Sequence, residues 1–134
     1  MNGYLLQERT FTAGEETFVE CDSTANSFGV VFEDDGVTGY FYAVEKREGE
    51  ALKILDALHI YEAELLEEEA KQIKLQILWS KDWLKCALVI NSFCHALFDF
   101  EKQGGYNINA FPPVNETWTK EGRELTNELI RSIF

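Results

Sequence analysis

This sequence has few cysteines, only two prolines and no long apolar run. The missing apolar run and the pattern of the cysteines each argue against a class of protein. Its longest apolar runs hold about five residues, far short of the roughly 20 that a membrane-spanning helix needs. The cysteines, Cys21, Cys86 and Cys94, are odd in number and form no CxxC pair, which is typical of a reducing compartment. The first residues lack both a basic and a long apolar segment, so we expect a cytoplasmic protein.

Basic side chains are also scarce, at 12 against 24 acidic ones, for a net charge of −12 over 134 residues. Such a field repels nucleic acid and anionic lipid, so we expect neither as a partner. It attracts basic proteins, although solubility alone also accounts for a charge of this sign. With 46% apolar and 13% aromatic residues, the composition predicts one globular domain over residues 1–134.

Catalytic signatures are absent from the sequence. It contains no phosphate loop, no GxSxG elbow, no HExxH helix and no dinucleotide fingerprint, which argues against the common enzyme classes. His59 and His95 each alternate with apolar neighbours, and neither has a histidine or cysteine at ligand spacing. We expect structural histidines with a hydrogen-bonded ring nitrogen, and we predict no catalytic residue, no cofactor and no metal site.

A β-hairpin is the clearest local prediction. Apolar runs flank Asp35-Gly36, and a two-residue turn there would set Val31 opposite Tyr40 and Phe32 opposite Gly39. A three-residue turn with a bulge would shift that pairing. With the two-residue turn, one side of the hairpin points to the core and carries Phe28, Val30, Phe32, Phe41 and Ala43. The other side is amphipathic and carries Val31, Glu33, Thr38, Tyr40 and Tyr42.

Three consecutive carboxylates, Glu33, Asp34 and Asp35, stand at the end of this hairpin. Three carboxylates can chelate a hard cation, but the spacing of an EF-hand loop is missing. Because the turn already explains Asp35-Gly36, we interpret the group as turn chemistry rather than a metal site.

Further strands are predicted at residues 17–21, 52–61, 73–79, 83–90 and 94–100, and an acidic loop or one to two helical turns at 62–71. A turn at Asn91-Ser92 would place Cys86 and Cys94 on opposite faces. Helical spacing predicts a C-terminal helix along Trp118, Leu125, Leu129, Ile130 and Ile133, capped by Asn115 or Thr117.

The predicted fold is therefore α+β: an antiparallel, mostly meandering β-sheet of about six strands with a C-terminal α-helix packed on one face. The expected core is Phe28, Val30, Phe32, Phe41, Ile54, Leu58, Ile60, Ile77, Leu88, Ile90, Leu97, Leu125 and Leu129.

Four segments, at residues 32–43, 54–61, 77–80 and 94–100, resemble the uncharacterised bacterial family known as domain of unknown function 2251. Trp83 and Ser92 stand where members of that family tend to carry glycine, so the turn types at these two positions are open. The resemblance implies a cytoplasmic bacterial protein and carries no activity or site residue with it.

Two functions fit these observations. The first is a small, acidic, non-enzymatic binding module for a basic protein partner, of an immunity-like or regulatory kind. Its candidate contact residues are Glu33, Asp34, Asp35, Tyr40, Tyr42, His59 and Tyr61. The alternative is an enzyme or small-ligand-binding domain with a pocket between sheet and C-terminal helix, lined by Tyr40, Tyr42, Tyr61, His59 or Trp118. The sequence sets no oligomeric state.

Overall fold

Two antiparallel sheets make up the fold, as seen in a computed structural model that describes residues 3–114, 118–120 and 122–133. One sheet has five strands in the order β1-β6-β7-β8-β9, and the other has four in the order β2-β3-β4-β5. The strands are β1 (Gly3–Thr12), β2 (Thr17–Asp22), β3 (Phe28–Asp34), β4 (Thr38–Glu45), β5 (Lys53–Glu62), β6 (Gln72–Ser80), β7 (Lys85–Ile90), β8 (Phe93–Asp99) and β9 (Gly104–Asn107). Two short 3-10 turns, Ala63–Leu65 and Glu69–Lys71, precede β6, and one α-helix, α1 (Asn127–Ile133), follows β9.

The prediction of an antiparallel sheet is confirmed, but the number of about six strands in one sheet is wrong. Nine strands in two sheets are present among the described residues. Alternating apolar residues from both sheets form one buried cluster, in which the rings of Phe41 from β4 and Phe98 from β8 stack 5.1 Å apart. A single sheet of this length would leave one apolar face in water, so the second sheet covers it.

The first hairpin has the predicted faces but not the predicted register. Phe32 lies opposite Phe41 and Val31 opposite Tyr42, two residues away from the predicted pairing. Asp35 Oδ1 accepts hydrogen bonds from the backbone N–H groups of Val37 and Thr38, which moves the turn to Gly36-Val37. Because the shift is two residues rather than one, every side chain keeps its predicted face.

The second hairpin, β7 to β8, turns at Asn91-Ser92 as predicted, with φ of 50° and 71°. Val89 faces Cys94 as expected, but a bulge then sets Cys86 opposite Phe98 instead of Leu97. Trp83 has a φ of 62°, so it and Ser92 both adopt the left-handed conformation that glycine favours. The turn types left open at these two positions are thus the glycine-type ones.

Two strands were not predicted, and several predicted core residues lie outside the buried cluster. β1 and β9 lie at the two edges of the five-stranded sheet, and β1 is largely exposed on both faces, so its sequence shows no alternation. Ile54 is 60% exposed, so its prediction as core is wrong. Leu97 is fully buried but does not belong to the cluster between the sheets.

The C-terminal helix is much shorter than predicted. Trp118 lies outside it and packs against Phe98 and Phe100, with ring centroids 6.1 and 5.7 Å away. The helix begins only after Thr126, whose hydroxyl oxygen accepts a hydrogen bond from the backbone N–H of Leu129 at 3.1 Å. Leu125, Leu129 and Ile130 are half-buried rather than core residues. The two predicted caps, Asn115 and Thr117, lie outside the described residues.

The residues before α1 are extended because strand β9 takes up their backbone groups. Asn107 N–H donates to the carbonyl of Arg123, and Leu125 N–H donates to the carbonyl of Asn107, at 3.0 and 3.1 Å. These bonds form a parallel bridge between Asn107 and Glu124 and hold the described residues 118–120 and 122–125, which we call the strap, beside the sheet. A helix through this segment would break both bonds.

Candidate functional site

A row of four side chains crosses the outer face of the four-stranded sheet. Phe18 on β2 lies opposite Glu33 on β3, Glu33 opposite Tyr40 on β4, and Tyr40 opposite His59 on β5. Since Val19, Phe32, Phe41 and Leu58 next to them point into the core, strand alternation turns these four outward. Three of the seven predicted contact residues, Glu33, Tyr40 and His59, are therefore neighbours on one surface, which we call the aromatic row.

Aromatic contacts give this surface a fixed shape. Tyr40 stacks on Tyr42 at 5.9 Å and meets the edge of His59 at 5.5 Å. Tyr42, the fourth predicted contact residue on this face, has its pKa raised by burial and then by the negative charge of Glu33. Phe18 at one end is 52% exposed. The face thus offers ring surfaces to a partner with a carboxylate among them.

His59 is held through both ring nitrogens. Asn109 Oδ1 accepts from Asn107 Nδ2 and from Phe111 N–H, so Asn109 Nδ2 must be the atom that points at His59 Nδ1, 2.7 Å away. His59 Nδ1 is therefore the acceptor, and Nε2 carries the proton that it donates to Glu62 Oε1 at 3.1 Å. Neither nitrogen is open to a substrate or a metal, and the imidazole ties residues 109–111 to β5.

Asp34 and Tyr61, two of the predicted contact residues, lie inside the protein. The Tyr61 hydroxyl donates to Asp34 Oδ2 at 2.6 Å, and the backbone N–H groups of Gly14 and Gly36 donate to the same carboxylate at 2.8 Å each. Asp34 is 1% exposed and Tyr61 6%. Burial, and then the Asp34 carboxylate, raise the pKa of Tyr61 well above its usual range. The pair joins the β1–β2 turn and the β3–β4 turn to β5.

The three carboxylates at the hairpin end point in different directions. Glu33 lies on the outer face, Asp34 turns inward, and Asp35 binds its own turn, whose N–H groups lower the pKa of that exposed carboxyl. Within the described part of the chain, no group of three histidine, cysteine or acidic side chains is arranged to hold a metal ion.

Acidic side chains flank the aromatic row, and the basic ones near it are engaged. Glu20 and Asp22 follow Phe18 along β2 on the same face, and both bind Lys46, at 2.8 and 3.1 Å. A cleft of about 340 Å³ lies where Phe18 meets the hairpin end, with the Glu16, Glu33 and Asp35 side chains on its wall. Phe18 was not among the predicted contact residues, although its alternation with Val19 and Cys21 on a predicted strand already placed its side chain on the outer face of the sheet.

The other residues singled out from the sequence lie elsewhere. His95 Nδ1 donates a local hydrogen bond to the Phe93 carbonyl oxygen at 2.9 Å. All three thiols are free. Burial raises the pKa of Cys21, raises that of Cys94 to about 11, and raises that of the fully buried Cys86 furthest, with the neighbouring Cys21 and Cys94 thiols adding to it. None of the three has the character of a nucleophile.

A buried ion pair that the sequence did not suggest closes the strap onto the sheets. Arg123 binds Asp56 through two bonds of 3.0 and 3.2 Å, and the Thr119 hydroxyl donates to the same carboxylate at 2.5 Å. The two charged side chains are 2% and 7% exposed. Trp118 and Tyr61 belong to the buried cluster between the sheets, so they are separated from the aromatic row, on which Tyr40, Tyr42 and His59 lie.

No helix in the described segments is long and apolar enough to cross a membrane.

Comparison with known proteins places the chain in a family. Residues 11–134 match the family described as "Uncharacterized protein conserved in bacteria (DUF2251)". An uncharacterized protein of Haemophilus influenzae (strain Rd) is 42% identical over 103 residues, which is 75% of this chain. That match covers 62% of the relative, so the chain spans about three fifths of its length. No solved structure matches. The resemblance found in the sequence is confirmed: the chain belongs to the DUF2251 family of bacterial proteins.

Proposed function

We propose that the protein is a non-enzymatic binding module whose aromatic row docks a basic protein partner. The observation that carries the proposal is the line Phe18–Glu33–Tyr40–His59, which puts one exposed ring, two half-buried rings and a carboxylate side by side across one sheet face. Aromatic faces attract guanidinium and ammonium groups, most strongly where water is excluded on docking. Arginine suits such a surface because its plane stacks on a ring while its N–H groups reach a carboxylate.

Charge supports the same partner. The chain carries −12 overall, and Lys46, the ammonium group beside Glu20 and Asp22, already compensates those two carboxylates. Glu33 and Asp35 have no cationic partner among the described residues, so they are available to charges from outside. A field of this sign also speeds the encounter with a basic protein.

A catalytic role has less support on this surface. Both nitrogens of His59 are in hydrogen bonds to Glu62 and Asn109, and among the described residues no serine, threonine or cysteine side chain is hydrogen-bonded to it. Acyl- and group-transfer reactions commonly need a nucleophile activated by an adjacent base with a free nitrogen or oxygen, and the contacts around His59 do not provide this pair.

Capture from the lysate of the native bacterium, followed by mass spectrometry, tests the proposal. We compare the wild type with Phe18→Ser and Glu33→Gln on the aromatic row. Phe93→Ser, at a ring on the five-stranded sheet that is more exposed (71%) than Phe18, and Glu8→Gln on β1 are the controls. We expect a basic protein that both row variants lose, that both controls keep, and that salt releases.

Three results would contradict the proposal. The captured proteins could be neutral or acidic, they could bind the row variants as well as the wild type, or the Phe93 and Glu8 controls could be the ones that lose them. The purified partner then gives the direct check, since its titration should shift the amide resonances of β3 and β4 and leave those of β1 unchanged.

A further inference from the structure

A second cleft of the molecule has two basic side chains, Lys102 and Lys120, in its lining. This cleft, of about 360 Å³, lies between the end of β8, the start of β9 and the strap. It is lined by Lys102, Gln103, Gly104, Tyr106, Trp118, Thr119 and Lys120. Its volume is at the lower end of the range of small-molecule sites, which are commonly about 300–1,000 Å³.

The two lysines of this cleft, Lys102 and Lys120, have no carboxylate partner among the described residues. The nearby carboxylates are already engaged: Glu101 binds Lys85 at 3.2 Å, and Asp56 binds Arg123. Asp99 accepts the backbone N–H groups of Glu101 and Lys102 at 3.0 Å each. Both lysines line the same cleft, and no carboxylate of the described residues is paired with either of them.

The walls of the cleft are rigid. Trp118 is 8% exposed and packs against Phe98 and Phe100, with ring centroids 6.1 and 5.7 Å away, which holds it in the cleft wall. The Thr119 hydroxyl accepts from Gly105 N–H at 2.9 Å and donates to Asp56, which fixes the strap on that side. A site whose walls do not have to be ordered on binding loses less conformational entropy.

We propose that this cleft binds a small phosphate monoester. The phosphate lies between the ammonium groups of Lys102 and Lys120, and the apolar part of the ligand lies against Trp118 and Tyr106. Phosphate is preferred to carboxylate because it carries close to two negative charges at neutral pH and accepts lysine as a point charge from several directions. Carboxylate recognition typically uses the planar fork of arginine, which this cleft lacks.

NMR titration of the full chain with phenyl phosphate tests the site. We expect saturable shifts at the amides of Gly104, Thr119 and their neighbours, with inorganic phosphate binding more weakly because it has no apolar part. Lys102→Gln and Lys120→Gln should each weaken binding about tenfold, the effect of one charged hydrogen bond. Lys81→Gln, at an exposed lysine in the turn between β6 and β7, should bind like the wild type.

Each other result would overturn the proposal. Shifts that rise without saturation, or lysine variants that bind phenyl phosphate unchanged, would show that the cleft is not the site. Benzoate binding as tightly as phenyl phosphate would show that phosphate is not the recognised group. Because the lysines are exposed, unchanged spectra outside the cleft will show that the variants are folded.

Discussion

The buried pair of Asp56 and Arg123 yields the sharpest prediction about stability. Arg123→Met removes the guanidinium group but keeps most of the apolar stem in place. The Asp56 carboxylate, 7% exposed, then keeps only the Thr119 hydroxyl as a side-chain donor. A carboxylate left inside a protein without its cation is far more costly than the same group in water.

The magnitude follows from the burial. Removing one partner of a buried ion pair destabilises proteins by about 3–5 kcal/mol. We expect a value near 3 kcal/mol, at the lower end of that range, because Thr119 still donates to Asp56 at 2.5 Å. This is a large part of the roughly 5–15 kcal/mol that holds a domain together. Replacing both partners, as Arg123→Met with Asp56→Leu, should restore most of the loss, since no charge then remains buried.

Urea unfolding of the single and double variants measures these differences, and the interaction energy follows from the double-mutant cycle. Arg131→Met, at an exposed arginine of α1, is the control and should change stability by only a few tenths of a kcal/mol. If Arg123→Met melts like that control, the ion pair is not buried in solution and the strap is not docked.

Three further predictions concern single side chains. Tyr61→Phe removes a donor from the buried Asp34 carboxylate and should cost about 1–3 kcal/mol in urea melts, against a few tenths for Tyr4→Phe at an exposed ring. Because the pKa of Tyr61 is raised in the folded state, the stabilisation that its hydroxyl provides is complete below about pH 10 and is lost as the pH rises above that value toward the folded-state pKa. Tyr61→Phe should flatten this alkaline loss of stability. Ellman's reagent at pH 8 should react slowly with the native protein and find three thiols after denaturation, since burial raises all three thiol pKa values; rapid reaction of the native protein would contradict the burial. Ser92→Gly should stabilise the protein by up to about 1 kcal/mol in thermal melts because Ser92 has a φ of 71°, and a loss of stability would show that the serine side chain matters more than the backbone.

Side-chain faces could be predicted from the sequence, whereas strand registers could not. Alternation of period two identified β2 to β6 and placed Val30, Phe32 and Phe41 in the core correctly. The register of the first hairpin depends on where the turn falls, and that is decided by Asp35 and by contacts of Asp34 with Gly14 and Tyr61, far away in the chain. A local pattern contains no signal for such contacts.

The edges of the fold were beyond sequence reasoning for a related reason. β1 is an edge strand that is largely exposed on both sides, so its sequence lacks the alternation of apolar and polar residues that marks a half-buried strand. The strap shows the reverse case, in which a real helical pattern is overridden. The spacing of Leu125 and Leu129 is helical, but Arg123 must reach Asp56 and the backbone must bond Asn107, so residues before Thr126 stay extended.

The candidate site was predicted in part. Glu33, Tyr40, Tyr42 and His59 were proposed as contact residues and do share one surface, because they alternate with core residues on neighbouring strands. Asp34 follows the same alternation, which points it inward, and Tyr61 lies opposite Gly39, where a Cβ would come within 2.7 Å of its ring. Both therefore belong to the interior. Alternation from Phe32 already indicates this for Asp34, whereas for Tyr61 it depends on the register shift between β4 and β5 at Gly39 and Tyr40.

The aromatic row and the lysine cleft should act independently of each other. The row is on the outer face of the four-stranded sheet, and the cleft is at the β9 edge of the five-stranded one. At physiological salt, charges act over only about 8 Å, so a change on one surface hardly affects the potential at the other. Phe18→Ser should accordingly leave the phenyl phosphate titration unchanged, and Lys120→Gln should leave capture of the basic partner unchanged. If Lys120→Gln abolishes that capture instead, the partner spans both surfaces, and the row alone is not its docking site.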